Sequence, residues 1–313
     1  MRLNEFERLA EKVRNWGRWG AQDQRGTLNH IDPEVLKGAV GTVTQGKLFS
    51  LGLNFDRNGP QQSDGPRFNP ELTLTTLGTF IKPDSPRQWA YTDDVVRMPL
   101  QAATQWDAFS HVHYDGQLYN GCRVEEGLTS TGAVKCGIEH LAAPGIMSRG
   151  VLLDIARLKG VDMLPVNYAI TSDDLDEACR RQNVVPRRGD VLLVRTGHIR
   201  TFTLDRNREA FNGLQAGLSA TCADWIHQHS LAAVAADNLA VEIMTEDLAT
   251  WEAPLPLHML MLRDMGCPLG EMFDMEALAG DCAADGRYAF LFTAPPLPVT
   301  GGVGSPINPL VLK

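Results

Sequence analysis

The sequence lacks the signals of a secreted, membrane-spanning or zinc-ribbon protein. Its six cysteines are scattered and include no Cys-x-x-Cys pair, which argues against a zinc ribbon or a thioredoxin-like redox site. No run reaches the roughly 18 apolar residues of a transmembrane helix, because the longest apolar stretch, residues 231–241, is interrupted by Asp237 and Asn238. Residues 1–7 contain no apolar signal segment. We therefore expect a cytoplasmic protein with free thiols and no membrane partner.

Positive charge is also scarce. The chain has 29 Lys and Arg residues against 38 Asp and Glu residues, which gives a formal net charge of −9. No basic cluster is longer than the pairs Arg180-Arg181 and Arg187-Arg188. Because a nucleic-acid partner favours a basic face, this charge balance argues against nucleic-acid binding.

The composition is that of an ordinary globular protein, with 43% hydrophobic and 21% charged residues among 313. This length allows one large domain or two ordinary ones. No repeat, low-complexity stretch or linker divides the chain, so we predict a single domain over residues 1–313. Residues 57–69 are polar and turn-rich, which predicts a long surface loop, with a lid as one interpretation.

Strand and helix patterns alternate along the chain, which predicts an α/β protein with a sheet covered by helices. Three continuous apolar runs have the pattern of strands buried on both faces, at residues 150–155, 189–197 and 231–236. Helical spacing or a helix-starting residue predicts helices at residues 4–16, 32–42, 171–178, 219–228 and 257–265. Asp32 and Ser219 are the expected N-caps of two of them.

The densest group of polar side chains lies in residues 101–116. Five of its members have odd numbers: Gln101, Gln105, Asp107, His111 and His113. If the segment is extended, these side chains share one face. A face with a carboxylate, two imidazoles and two amides could bind a metal or provide an acid–base site. The alternative is a solvated polar face of an exposed strand.

This segment resembles the signature His-x-Gly-Thr-His-x-Asp-x-Pro-x-His of the cyclase-type metal-dependent hydrolases, the family of bacterial kynurenine formamidase and isatin hydrolase. With Thr104 on the threonine, Asp107 takes the place of a ligand aspartate and His111 that of the catalytic histidine. Gln101 and Gln105 take the places of two ligand histidines. An amide oxygen is a weaker and harder ligand than imidazole, so it disfavours Zn²⁺ and tolerates Mn²⁺ or Mg²⁺ better.

The family's metal site is completed by a helix histidine that is followed about a dozen residues later by a glutamate. His258 and Glu271 have this arrangement. The resemblance therefore implies that Asp107, His258 and Glu271 are the core ligands of a divalent ion, Mn²⁺ or Zn²⁺. Gln101 and Gln105 would be weak ligands or would orient water or substrate. The alternative for His258, a lone histidine in an apolar helix, is a hydrogen-bonded core residue.

The resemblance extends over nearly the whole chain, through residues 19–30, 114–121, 237–242 and 294–309. It implies the swivelling β/α/β cyclase-type fold, a single domain in which helices flank a mixed β-sheet, and a homo-oligomer, either a dimer or a tetramer. Asp237 and Glu242 follow a predicted buried strand, and strand ends of α/β sheets commonly open onto active sites. We expect Asp237 to bind substrate and Glu242 to take part in catalysis.

The resemblance implies an enzyme that hydrolyses the C–N bond of a small amide, formamide or cyclic amide. His111 would act as general base and then donate a proton to the leaving nitrogen. The predicted substrate-binding residues are Trp106, Phe109, His113, Tyr119 and Asp237. Aromatic side chains suit a planar small-molecule substrate, although ordinary core packing is the alternative for them.

Two other functions use the same residues. A metal-poor lyase, dehydratase or cyclase could move protons with His111, Asp107 and Glu242. A non-catalytic protein could bind a small molecule on the same scaffold.

Overall fold

Strands and helices alternate along the chain, as the apolar runs predict. The computed structural model describes residues 1–62, 65–80, 86–87, 89–247 and 252–313. In chain order the strands of this part are β1 (Leu48–Ser50), β2 (Glu71–Leu74), β3 (Thr79–Phe80), β4 (Ala90–Tyr91), β5 (Asp94–Arg97), β6 (Gln105–Asp107), β7 (Leu128–Thr129), β8 (Gly132–Ala133), β9 (Met147–Asp154), β10 (Ala169–Ile170), β11 (Val191–Arg195), β12 (Gly217–Leu218), β13 (Ala233–Ala236), β14 (Leu269–Glu271), β15 (Ala289–Thr293), β16 (Gly304–Pro306) and β17 (Leu310–Leu312).

The helices are short, and most have one to three turns. In chain order the α-helices of the described residues are α1 (Leu3–Val13), α2 (Pro33–Val40), α3 (Val124–Gly127), α4 (Glu139–Ala142), α5 (Ile155–Leu158), α6 (Ser172–Arg181), α7 (Arg200–Thr203), α8 (Arg208–Phe211), α9 (Cys222–Gln228), α10 (Pro256–His258) and α11 (Glu276–Asp285). In the same described part of the chain, short 3-10 helices cover Gly26–His30 and Tyr119–Gly121, and a π-helical segment, Met259–Met265, continues α10.

One large sheet forms the centre of the molecule. Its strand order is β1-β17-β15-β9-β11-β13-β14-β6-β16. The four strands β9, β11, β13 and β14 are parallel, and the strands on either side of them pair antiparallel. Every residue of β11 and β13 is buried, as expected for strands with both faces covered. The chain is therefore a single α/β domain in which helices flank a mixed sheet.

Two helix starts follow their sequence signals. The side chain of Asp32 accepts hydrogen bonds from the backbone N–H groups of Glu34 and Val35 at the start of α2. At the start of α6, Thr171 and Asp174 form a reciprocal capping box. Both arrangements satisfy backbone donors that a helix leaves unpaired at its first turn.

The predicted cap at Ser219 is wrong. Helix α9 begins only at Cys222, and no side chain caps its first turn. The backbone N–H of Ser219 instead donates to the carbonyl of Ile170 at 2.8 Å, next to the short parallel pair β10–β12. The carbonyl of Ser219 accepts from the backbone N–H of Cys222 at 3.0 Å, so a turn separates this pairing from the helix.

Strands β2 and β5 form an exposed antiparallel ribbon. Every residue of β2 and β5, which pair with each other, is exposed. Many of the protein's exposed large apolar side chains lie in residues 71–97: Leu72, Leu74, Leu77, Trp89, Tyr91, Val95 and Val96. An isolated two-stranded ribbon is marginally stable in water, so this surface gains stability if it is covered.

Within the part of the chain that the structure describes, no helix combines the length and the apolar character that a bilayer crossing requires. The six cysteines are free thiols, and four of them are buried.

Candidate metal centre

Three candidate ligands meet beside β6 and β14, two neighbouring strands of the main sheet. Asp107 ends β6 and Glu271 ends β14, and these two strands are antiparallel neighbours. His258 ends α10. One ligand-capable atom from each of the three side chains lies within 4.8 Å of the other two. The fold therefore brings together three residues that are far apart in sequence.

The three side chains are almost completely buried. The Nε2 atom of His258 lies 3.8 Å from Oδ2 of Asp107 and 3.3 Å from Oε1 of Glu271, and none of the side chains is more than 4% exposed. Burying carboxylates is costly unless a positive charge lies close to them. One imidazole nitrogen and carboxylate oxygens around a common centre are the donors that Mn²⁺ and Zn²⁺ accept.

Buried polar atoms without a hydrogen-bond partner indicate whether a cation would fit between the candidate ligands. Both carboxylate oxygens of Asp107 and Oε1 of Gln105 are buried and have no hydrogen-bond partner among the described residues. The Nε2 of Gln105 donates to Oε2 of Glu271, which leaves the amide oxygen free. Buried polar groups are normally hydrogen-bonded. A set of buried acceptors with free lone pairs therefore fits a divalent cation.

Glu242 fixes the orientation of the His258 ring. Its Oε1 accepts hydrogen bonds from Nδ1 of His258 at 2.5 Å and from the backbone N–H of His258 at 3.1 Å. Its Oε2 accepts from the backbone N–H of Leu257 at 3.0 Å. Because Nδ1 donates to Glu242, Nε2 is the atom that faces Asp107 and Glu271. A carboxylate that orients a histidine in this way is the usual outer partner of a metal ligand.

The backbone is strained beside both glutamates. Val241 has a φ of 57° and Met272 a φ of 60°. Positive φ is uncommon outside glycine, and for a β-branched residue it is a true outlier. Such conformations cost about 1–3 kcal/mol each and persist where the surroundings enforce them. Asn238 Oδ1 accepts from the backbone N–H of Val241 at 2.8 Å, and the resulting turn directs Glu242 toward His258.

Burial and hydrogen bonds change the proton affinities of this cluster. Burial raises the pKa of Asp107 to about 6, against the opposing effect of His111. For His258 burial lowers the pKa, but hydrogen bonds to Glu242 and Glu271 outweigh it and raise the pKa to about 10. The His258 imidazolium thus supplies positive charge to the carboxylates when no other cation does. A proton and a divalent ion compete for Nε2, so metal binding releases that proton.

His111 and Arg67 lie at the open side of the cluster. Nε2 of His111 is 3.8 Å from Oδ1 of Asp107, and its side chain is 21% exposed. Nη2 of Arg67 is 3.4 Å from the same His111 nitrogen, and Nη1 is 4.0 Å from Oε2 of Glu271. The sequence identified residues 57–69 only as a loop, and no local signal distinguished Arg67 from the other polar residues there.

Gln101 approaches the cluster from the segment before β6. Its Nε2 has no hydrogen-bond partner among the described residues. This atom lies only 2.6 Å from the position that a Cβ would take on Gly304, and Gly304 pairs with Asp107 in the sheet. Any side chain at position 304 would therefore displace the Gln101 amide.

Residues 101–113 do not form one extended segment, so the condition for a shared face of the odd-numbered residues is not met. Only residues 105–107 belong to a strand, β6. The backbone N–H of His111 then donates to the carbonyl of Ala108 at 3.0 Å, which turns the chain. This turn brings His111 beside Asp107, whereas His113 lines an open cavity of about 720 Å³ that is bordered by α1.

Trp106 lies on the opposite side of β6 from Gln105 and Asp107, because successive side chains of a strand alternate. Its indole N–H donates to the carbonyl of Ala294 at 2.8 Å, and its ring packs edge-on against Phe273. Trp106 is completely buried. The structure therefore places Trp106 in the hydrophobic core and not beside the candidate ligands.

Phe109 and Tyr119 also belong to the core. Their ring centroids are 5.0 Å apart, and the Tyr119 hydroxyl donates to Asp23 at 2.9 Å. Both rings are almost fully buried, so core packing accounts for these two predicted substrate-binding residues.

Asp237 ties the ends of two parallel strands together. Its carboxylate accepts from the N–H and the hydroxyl of Thr196, at 2.8 and 2.6 Å, and from the N–H of Gly197 at 2.7 Å. Burial raises the pKa of Asp237 to about 6, with the bonds to Thr196 opposing the shift. Three donors occupy this carboxylate, so the geometry favours a structural role over the predicted substrate contact.

The Glu242 interaction gives a first testable expectation. Glu242→Gln removes the negative charge that holds the Nδ1 proton of His258, so divalent-ion affinity should fall by about 10–100-fold. The dissociation constant can be measured by competition with a chromogenic chelator. Glu246→Gln, an exposed glutamate in the same segment, is the control and should bind metal as the unmodified protein does. Equal affinities for the two variants would show that Glu242 has no such role.

Comparisons with known proteins agree with this fold. The Cyclase family model matches residues 50–243. The crystal structure of a cyclase is 39% identical in sequence, with a TM-score of 0.86, over 96% of this chain and 100% of that one. No curated protein sequence matches the chain.

More distant structures share the fold alone. Isatin hydrolase A from Labrenzia aggregata, bound to benzyl benzoate, is 15% identical with a TM-score of 0.62, over 89% of this chain and 97% of that one. A structure described as a predicted metal-dependent hydrolase from Bacillus stearothermophilus is 17% identical with a TM-score of 0.53, over 86% and 98% of the two chains. Together with the match over residues 50–243, the 39% identity over nearly the whole chain shows that this protein belongs to the cyclase family.

Proposed function

We propose that this protein is a metal-dependent hydrolase that cleaves the C–N bond of a small amide, formamide or cyclic amide. The observation that carries the proposal is the buried cluster of Asp107, His258 and Glu271, in which both oxygens of Asp107 lack a partner among the described residues. The fold shared with isatin hydrolase and with metal-dependent hydrolases supports the same reaction class.

The proposed ligands are Asp107, His258 and Glu271, with the amide oxygen of Gln105 as a further donor. A divalent cation supplies Lewis acidity at such a site, which polarises a carbonyl group and makes water more acidic. We propose Mn²⁺ in preference to Zn²⁺, because three of these four donors are hard oxygen atoms.

We propose His111 as the group that moves the proton. Hydrolysis joins the oxygen of water to the acyl carbon, breaks the C–N bond and transfers one proton from water to the leaving nitrogen. His111 Nε2 lies 3.8 Å from Oδ1 of Asp107, which places it beside the cluster without a hydrogen bond to it. A neutral imidazole at this position can accept the proton and then donate it to the nitrogen.

The alternative lyase, dehydratase or cyclase would need Glu242 as a third proton-transfer group. Both oxygens of Glu242 are occupied, since they accept from Nδ1 and the backbone of His258 and from the backbone of Leu257. This geometry favours a positioning role for Glu242 and thereby favours the hydrolase.

A substrate panel with and without metal tests the proposal. N-formyl arylamines, simple amides and cyclic amides should include at least one compound that the protein hydrolyses. Removal of metal by a chelator should abolish that turnover, and Mn²⁺ should restore it. Turnover that survives complete metal removal would favour the lyase-type reaction, and tight binding of a panel compound without turnover would favour a binding protein.

We also propose a cytoplasmic homo-oligomer, a dimer or a tetramer. The free cysteines support the location, and the exposed ribbon of β2 and β5 supports self-association. Sedimentation at micromolar concentration should show a species of at least twice the chain mass of 34.4 kDa. A single species at the chain mass would contradict the proposed oligomer.

A further inference from the structure

We propose that Arg67 binds the acyl oxygen of the substrate and, after cleavage, the carboxylate of the product. The inference rests on the proposed function, because it names the side chain that contacts the reacting carbonyl group. It assigns a binding role to a residue outside the candidate ligands and outside the sequence motif.

The loop that carries Arg67 is fixed at its base. The backbone N–H of Gln61 donates to Oδ1 of Asn69, and Nδ2 of Asn69 donates back to the carbonyl of Gln61, both at 2.9 Å. The side chain of Gln61 also donates to the carbonyl of Ala102 at 2.9 Å. These bonds attach the loop to the segment just before β6, so Arg67 has a defined position relative to Asp107.

The guanidinium of Arg67 has free donors at the cluster. Among the described residues its nearest carboxylate oxygen is Oε2 of Glu271 at 4.0 Å, which is beyond hydrogen-bond distance. That oxygen already accepts from Gln105. A guanidinium has five N–H donors, and its contact with His111 at 3.4 Å involves only one nitrogen. The other donors have no hydrogen-bond partner among the described residues, so they can bind a ligand.

Arg67 is the positively charged side chain at the open side of the cluster. Asp107, Glu271 and Glu242 carry negative charges, and a divalent ion held by Asp107 and Glu271 would offset two of them. The positive charge of Arg67 then faces the open side, where its side chain is 31% exposed. A cavity of about 180 Å³ begins here, with Gln61, Gln62, Asn212 and Leu239 in its wall. Its size and its amide groups suit a small polar group rather than a long apolar chain.

Because Arg67 lies next to His111, we place the substrate group that Arg67 binds at the reaction centre. When water attacks an amide, the carbonyl oxygen gains negative charge, and donors aimed at that oxygen stabilise the transition state. The product is a carboxylate, whose two oxygens match the paired N–H groups of a guanidinium. Since Nη2 of Arg67 lies 3.4 Å from the proposed proton acceptor, both groups can contact the same acyl unit.

Calorimetric binding of benzoate, a simple product-like carboxylate, tests this role without turnover. Benzoate should bind the Mn²⁺-loaded protein, and Arg67→Gln should weaken that binding by about tenfold or more, the scale of a lost charged hydrogen bond. Arg67→Lys keeps the charge but loses the paired donors, so it should give an intermediate affinity. The uncharged analogue benzamide should lose less affinity than benzoate in Arg67→Gln.

Arg57→Gln is the matched control, because Arg57 is an exposed residue at the start of the same loop. It should bind benzoate as the unmodified protein does, and all variants should keep their Mn²⁺ content. Equal benzoate affinity of Arg67→Gln and Arg57→Gln would overturn the inference, and so would absence of benzoate binding to the unmodified protein at millimolar concentration. A protein that hydrolyses no amide but binds benzoate through Arg67 would refute the proposed function and leave this binding role intact.

Discussion

Asp107→Ala should lose the bound metal and the hydrolytic activity together. The variant removes a central ligand whose two oxygens have no other partner among the described residues. Its divalent-ion affinity should therefore fall by more than the roughly 10–100-fold that loss of an outer partner costs. Metal content by plasma mass spectrometry and turnover on the best panel substrate measure both effects in one preparation.

The same variant should not destabilise the metal-free protein. Burial raises the pKa of Asp107 to about 6 despite the nearby His258, so the charged carboxylate is unfavourable there without a divalent ion. Replacing it with alanine removes that desolvation cost, so the unfolding temperature of the metal-free protein should stay constant or rise. With metal present, the order should reverse, because only the unmodified protein gains stability from binding.

Asp205→Ala is the control for a change of one carboxylate, since Asp205 is exposed. It should keep both metal and activity. If Asp107→Ala retains stoichiometric metal, Asp107 is not a ligand. If the metal-free variant unfolds under conditions in which the metal-free unmodified protein stays folded, the electrostatic argument is wrong.

His111→Ala should reduce turnover and leave the metal in place. His111 is at the open edge of the cluster, 3.8 Å from Asp107, where it can exchange a proton without completing the ligand set. The kcat should fall by about 10²–10⁴-fold, the usual scale for loss of a general acid or base. Steady-state kinetics together with metal content separate this effect from that of Asp107→Ala.

His113→Ala is the matched control in the same segment. His113 lines the cavity next to α1, so its replacement should leave kcat within a few-fold of the original value. Full turnover in His111→Ala together with a large loss in His113→Ala would exchange their roles. Loss of metal in His111→Ala would make His111 a ligand.

Much of the fold could be predicted from the sequence because its strongest signals are local. The continuous apolar runs that became β9, β11 and β13 predict strands with two covered faces, and all three are central and parallel. The ribbon of β2 and β5 was not predicted. Residues 71–74 alternate polar and apolar side chains, but every residue of both strands is exposed, so the alternation does not mark a buried face.

Some features of the candidate site could also be predicted from the sequence, and others could not. The resemblance to the family signature pointed to Asp107 and His111, and the family's helix histidine followed by a glutamate pointed to His258 and Glu271. The position of Trp106 could be predicted from the alternation of side chains along a strand, because an even-numbered residue of β6 must point away from Gln105 and Asp107. The position of Glu242 depends on the strained turn at Val241, which no sequence pattern reveals.

Arg67 illustrates what sequence alone does not contain. Paired hydrogen bonds join Gln61 and Asn69, on either side of Arg67 in the sequence, and all three residues are distant in sequence from Glu271. The position of Arg67 beside the cluster depends on long-range packing, and a polar, turn-rich segment predicts only that a loop is present.

The divalent-metal content of the unmodified protein, purified without chelators, tests the central claim most directly. We expect about one equivalent of Mn²⁺, or of a competing divalent ion, for each chain, held by Asp107, His258 and Glu271 and lost in Asp107→Ala. A preparation that hydrolyses its substrate with far less than one equivalent, and that gains neither metal nor activity when Mn²⁺ is added, would contradict it.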